Sequence, residues 1–448
     1  MKTLVVLFLA LFCLLHSSVG DTWPEFRGPH GNGISDARGI PEKFDEETNL
    51  IWKTNLPGRG WSSPVYDGER LWLTTAVERF PDEEDRIERL KAQGIEERKF
   101  KQKQIATHIE LMVLAVDFAT GALVEEIALR EVPDPQAIHT LNSFASPTPV
   151  LSGDLIIAHF GTFGTFAIGR ETSKLAWERT LSLEHSVGPG SSPVVYEGKL
   201  VLICDGVDQQ YVTSLDAQTG KTIWTTARPE MRAALGDQKK AYNTPVFITD
   251  PNGKKQLVCM GSQWLVSYDL ETGDEIWKLD HGDGFSVVPR PVYNTELGLI
   301  YISTGFGKPE LLAVKVDGSG DITEKDMIAW REPKRIPAKP SPLLVENLLY
   351  VISDGGVGTC FDSQSGEALW HERIDGNYSA SPLFADGKIF LANQEGVVRV
   401  LAPGPNYDPL AENQLNGSIM ASPIALEGSL VIRSDSALYR FGESAAQP

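Results

Sequence analysis

Arg59 and Trp61, Asn142, His185, Tyr242 and Asn243, Arg290, Lys339 and Tyr378 each fall in a short link just ahead of an apolar stretch opened by a proline. Brought to one place, three cations, a histidine and three aromatic rings would hold an anionic or flat ligand, the cations by charge-assisted hydrogen bonds and the rings by stacking. The competing reading is that these residues pair with acids from neighbouring segments and only cap the space between them. Other chemistries find no support. There is no recognisable pair of carboxylates for glycoside hydrolysis, and no metal site is expected. His30 has no second ligand near it in sequence and reads as an ordinary loop histidine.

The elements that must position these residues repeat. Residues 189–226 hold one complete unit of four short strands: Pro193 to Tyr196, Lys199 to Cys204, Tyr211 to Leu215, and a fourth carrying Trp224. Turn-forming Gly, Asp and Asn punctuate runs rich in β-branched and aromatic residues. Leu200 to Ile203 is apolar on both faces, which suits a strand packed on both sides. Openings at Ser63-Pro64, Ser146-Pro147, Ser192-Pro193, Thr244-Pro245, Arg290-Pro291, Ser341-Pro342, Ser381-Pro382 and Ser422-Pro423 mark eight copies. From the second onward they lie 40 to 52 residues apart, a period that means propeller blades or solenoid turns. An Asp-x-x-Thr/Ser-Gly turn recurs at Asp117, Asp216, Asp269 and Asp362, and a fourth-strand Trp at Trp177, Trp224, Trp277, Trp330 and Trp370. With no helical period between copies, the repeats predict an all-β, eight-bladed β-propeller of four-stranded blades, in which ring closure hides the sheet edges.

Closure leaves a trace in the sequence. The last copy ends without its Trp strand, while Asn49 to Leu56, carrying Trp52, precedes the first opening and predicts the strand that completes the last blade. The domain reading is therefore a signal peptide over 1–20, an N-terminal strap over 21–48, a propeller over 49–443 and a tail over 444–448. The strap is rich in Gly and Pro and reads as an ordered strap or a loose arm. Charged residues 78–108 interrupt the first blade and read as a helix broken near Gly94, either a solvated hairpin on the rim or an arm that docks a partner.

Lys2, an apolar run from Leu4 to Leu15 and small residues ending at Gly20 predict a cleaved secretory signal, hence a periplasmic or secreted protein. No other stretch has the length of a membrane span. With 60 acidic against 41 basic residues and a net charge of −19, the chain would repel nucleic acid and anionic membrane. Cys204, Cys259 and Cys360 each sit in or beside an apolar strand and read as small buried hydrophobes.

The run of Ser-Ser-Pro openings, Asp-x-x-Thr-Gly turns and Gly-x-x-x-Trp strands (Gly220 to Trp224, Gly273 to Trp277, Gly366 to Trp370) resembles the repeat of the pyrroloquinoline-quinone (PQQ) propellers. The segment Trp23 to Gly33, WPEFRGPHGNG, looks like the start of secreted bacterial members. The resemblance covers essentially the whole chain after the signal and implies the fold more firmly than any activity. It implies one of two functions: a quinoprotein oxidoreductase acting on alcohols or sugars with PQQ and Ca²⁺, or a non-catalytic binding or scaffold propeller like the outer-membrane assembly propeller. The enzyme branch often carries an adjacent cysteine pair or a Cys-x-x-Cys-His haem module, and this sequence has neither. The expectation is accordingly a binding or scaffold protein with a protein or glycan partner at the channel mouth and no cofactor.

Overall fold

The computed structural model describes residues 22–426 and 428–443; the proposed signal peptide and tail lie outside them. Eight antiparallel sheets each contain a four-stranded meander, and two carry a fifth strand. In the third blade Val194–Tyr196, Lys199–Asp205, Gln210–Asp216 and Thr222–Ala227 pair in sequence order. The doubly apolar second strand packs as its composition requires. Leu200, Leu202 and Cys204 face the second blade, whereas Val201 and Ile203 face the fourth. Blade-to-blade packing is thus a ring of separate cores, with Cys204, Cys259 and Cys360 buried as free thiols.

One bracket explains both recurring motifs. Asp216 Oδ1 accepts the Thr219 amide at 2.8 Å and its hydroxyl at 2.7 Å, which folds the turn and leaves the Ala217 carbonyl facing outward. Trp177 of the preceding blade donates its indole N–H to that carbonyl at 3.0 Å. Gly220, at φ 67°, lies under the indole, and a Cβ there would sit 2.7 Å from the ring. The same arrangement joins Trp52 to Phe118 and Gly121, Trp224 to Leu270 and Gly273, and Trp330 to Ser363 and Gly366.

Leu50–Asn55 pairs antiparallel with Ala437–Gly442, the third strand of the last blade. A strand from the start of the chain therefore supplies the outer strand of the last blade. The second blade corrects the sequence register. Its inner strand is Val150–Ser152, so the position equivalent to Ser192-Pro193 is Thr148-Pro149, two residues beyond the expected Ser146-Pro147.

Residues 22–44 form an ordered floor to the channel. Trp23 bridges to Tyr66, the Pro24 carbonyl accepts the Leu151 amide, and Ile34–Ser35 pairs parallel with Leu383–Ala385. His30 is exposed, as an ordinary loop histidine would be.

The insertion is shorter than its charge pattern suggested, because the middle strands of the first blade run on to Arg79 and resume at His108. Between them lie a helix, Glu83–Ala92, capped by Asp82, a 3₁₀ turn, Glu97–Gln102, and a short strand, Lys103–Gln104. Gly94 separates helix from turn, at φ 71°. Leu90, Ile105 and Ala137 give it a small core of its own, and Lys103–Gln104 pairs with Ile138–His139. It is part of the mouth's wall and not a free hairpin. Since Arg79 and His108 are paired neighbours, replacing Phe80 to Gln104 with a short Gly/Ser linker closes a small gap at little entropic cost. The expected outcome is a folded propeller with a thermal midpoint within a few degrees of the full chain, checked by calorimetry.

Candidate functional site at the channel mouth

A cavity of about 580 Å³ opens at the end of the channel where the links enter the inner strands, a size typical of ligand sites. Hydroxyls ring its depth. The Ser63 amide donates to Thr148 Oγ1 at 3.0 Å, Thr148 to Ser192 at 3.0 Å, and Ser192 to Thr244 at 3.2 Å. After one break, Arg290 donates to Ser341 at 3.0 Å, Ser341 to Ser381 at 3.0 Å, and Ser381 to Ser422 at 2.9 Å. This belt is the physical reason for the hydroxyl before six of the prolines, at Thr148, Ser192, Thr244, Ser341, Ser381 and Ser422: its oxygen receives the amide of the preceding blade. Phe26 of the strap lies below it, and Trp61, Leu141, Phe285, Phe306 and Met420 give the mouth an apolar wall.

Of the nine residues the sequence brought together, Trp61, Asn142, Tyr242 and Lys339 line this cavity. Asn142 is held by structure, its amide donating to the Val187 and Pro189 carbonyls and its oxygen accepting from Ser146. Tyr242 donates its hydroxyl to the His185 carbonyl at 2.7 Å. The expected trio of cations is not there. Arg59 is spent on Glu78 through bonds of 2.9 and 3.0 Å. Arg290 occupies the break in the belt, fully buried, and donates to Glu25 at 2.7 Å, to the Phe26 carbonyl at 2.5 Å and to the Pro245 carbonyl at 3.1 Å. A Cβ on Gly31 would lie 2.4 Å from its guanidinium, so the strap's glycines allow the loop to close over it. Lys339 alone of the three faces the cavity, 3.7 Å from Asp354. His185 is buried, its Nε2 accepting the Thr162 amide at 2.9 Å. Asn243 is buried with its amide on the Pro289 carbonyl, and Tyr378 is buried with its hydroxyl accepting from Arg399 at 3.2 Å.

The residues missed are mostly apolar. Phe285 stands in the link before Arg290 and Phe306 between Gly305 and Gly307, positions where a large ring has no core to join. Gln102 enters the wall from the end of the 3₁₀ turn, and His139 from the strand that pairs with the insertion.

Three histidines are held neutral by burial: His159 is pushed down to about 3, and His185 and His281 to about 4. An unfolded chain takes up protons on these groups near pH 6.5, whereas the fold does not until far lower. Stability is therefore expected to fall by roughly several kcal/mol as pH drops from 6.5 towards 4. Urea unfolding followed against pH checks this, and His185→Gln is expected to flatten part of the slope.

Eight blades closed by a strand from the start of the chain, with a tryptophan bracket between blades and a hydroxyl belt at the channel, define a PQQ-type β-propeller. The family described as outer membrane protein assembly factor BamB matches residues 110–329 and 261–404, and the chain belongs to it. Among curated relatives, 1-butanol dehydrogenase (quinone) of Thauera butanivorans is 26% identical over 42% of this chain and 30% of its own. The chain spans less than a third of the length of the curated relatives it matches. In fold it is similar to quinohemoprotein alcohol dehydrogenase ADHIIG of Pseudomonas putida HK5, with a TM-score of 0.56 and 14% identity over 96% of this chain and 82% of that one. It is also similar to BamB of Moraxella catarrhalis, with a TM-score of 0.51 and 13% identity over 76% of this chain and 96% of that one.

Proposed function

We propose that the chain is an exported, non-catalytic propeller that binds a polypeptide partner in the mouth of its channel. The observation that carries this reading is the apolar wall. Leu141 is 50% exposed and Phe306 37%, beside Trp61, Phe285 and Met420, and unpaired apolar surface rimmed by polar groups suits apolar side chains of another protein. A glycan would call for several free amides and acids to meet its hydroxyls, and beside Gln102 and Asp354 the wall offers only Asn142, which is committed to backbone carbonyls. Export rests on the apolar leader and on the outer-membrane role in the family's description.

The second reading is a quinone-dependent oxidoreductase, favoured by the sequence relation to 1-butanol dehydrogenase (quinone). PQQ is a tricarboxylate that works beside Ca²⁺, so its site needs several cations and a set of hard oxygen ligands. The lining supplies one lysine, Lys339, facing one carboxylate, Asp354. Among the described residues no group of three or more His, Cys, Asp and Glu is placed to hold a metal ion. These residues fit the pair poorly. Titration with PQQ and Ca²⁺, followed by absorption and by dye-linked oxidation of alcohols and aldoses, is expected to give no turnover. Turnover that disappears in Lys339→Ala would overturn the binding reading.

A further inference from the structure

Three lysines, Lys99, Lys103 and Lys240, cluster at the edge of the mouth. Lys103 stands opposite His139 across the short sheet that joins the insertion to the mouth, so the two share a face. Its ammonium donates to the Ser186 carbonyl, the residue is only 9% exposed, and among the described residues no carboxylate lies within ion-pair distance of it. Lys240 and Lys99 stand beside it, and both converge on a single acid. Lys240 reaches Asp237 Oδ1 at 2.7 Å and Lys99 reaches Oδ2 at 3.1 Å, while the Ser186 hydroxyl takes Oδ1 as well, at 2.8 Å. Lys99 also lies 3.7 Å from Glu96, so three ammonium groups meet two carboxylates within ion-pair distance, in a chain of net charge −19. The field is visible on its neighbours. Burial, together with Lys103, Lys339 and Lys240, holds His139 below its ordinary value. Burial and Lys240 push Lys103 down to about 8, against the opposing pull of Asp237 and Glu184.

An enclosed ammonium that meets only one carbonyl leaves two donors unused, and a buried cation without a counter-ion is costly. The cluster meets solvent through Lys99 and Asp237, both partly exposed. Lys103 lines a groove of about 370 Å³ under the insertion helix, together with Phe80, Phe100 and Lys101, and the adjoining Gln102 and His139 line the central cavity. On a polypeptide the side chains that meet an ammonium as anions are the carboxylates of Asp and Glu.

We propose that Lys103, flanked by Lys99 and Lys240, is an anion subsite that receives an Asp or Glu side chain of the polypeptide whose apolar residues enter the mouth. The proposal rests on the binding reading above and adds the ligand's charge. It also accounts for the insertion, which brings Lys99 and Lys103 beside Gln102 at the edge of the mouth.

The test selects a displayed library of random dodecapeptides on the full chain and then measures synthetic consensus peptides by calorimetry. The expected result is enrichment of an acidic residue near an apolar pair. Replacing that acid with its amide should weaken binding roughly ten-fold in the natural protein, but less than two-fold in Lys103→Met, with Lys103→Arg restoring the discrimination. Should Lys103→Met fail to fold, Lys99→Met, on a half-exposed residue, is expected to cut the discrimination to about three-fold. Enriched peptides that bind without an acid and lose affinity in Phe306→Ala would overturn the anion subsite while leaving the binding reading in place. No enrichment at all would overturn both.

Discussion

Replacing Trp52 with alanine is expected to cost roughly 3 to 5 kcal/mol, the range for truncating a buried tryptophan. The ring is 8% exposed, donates to the Phe118 carbonyl at 3.0 Å, and covers Gly121 so closely that a Cβ there would lie 2.6 Å from it. It packs the strand that completes the last blade against the first blade, beside the seam where Leu50–Asn55 and Ala437–Gly442 close the ring by strand pairing and not by a chain link. The seam is otherwise held by that pairing, by Arg440 on the Phe118 carbonyl at 2.7 Å, by Arg433 on the Ser62 and Thr74 carbonyls, and by a shared apolar core. Trp52→Ala should therefore lower the urea midpoint more than Trp177→Ala, whose ring is half-buried, and removal of residues 22–56 should abolish soluble folded protein. A truncated chain that melts with the full-length one would place the closure elsewhere.

Arg290→Met is expected to cost a similar amount, roughly 3 to 5 kcal/mol, because it leaves Glu25 enclosed without its cation. Burial already holds the Glu25 carboxyl above its ordinary value, and Arg290 is the group that opposes the rise. The Phe26 carbonyl would lose its donor too, so the strap should loosen and become open to proteolysis around Arg27. The double substitution Glu25→Gln, Arg290→Met removes both the charge and its partner and should recover part of the loss. Stability equal to the natural protein in Arg290→Met alone would mean that the floor is held by the Trp23 and Ile34 contacts without the ion pair.

The blades were legible because each repeated residue has one local role. Asp216 folds its turn, Gly220 clears space for an indole, and Ser192 offers its oxygen to a neighbouring amide. The position of the mouth followed from the links. Which side chains face into it did not, because that depends on partners far away in sequence. Arg290 is drawn down by Glu25, 265 residues earlier, and Arg59 is drawn aside by Glu78 on the strand it bridges. Pro147 and Pro149 offered two openings for the second blade, and only the belt of hydroxyls selects Thr148. The apolar wall escaped notice because a search for chemistry in links favours charged and polar types, whereas Leu141, Phe285 and Phe306 are informative for being apolar where no core exists.

The most direct test of the proposed binding surface places a photoreactive phenylalanine analogue at Phe306 in the mouth and, separately, at Ile223 on an outer strand, 43% exposed. After irradiation in cells that make the protein, a discrete adduct with another polypeptide is expected from position 306 and none from 223. Adducts from the outer strand alone would contradict the account.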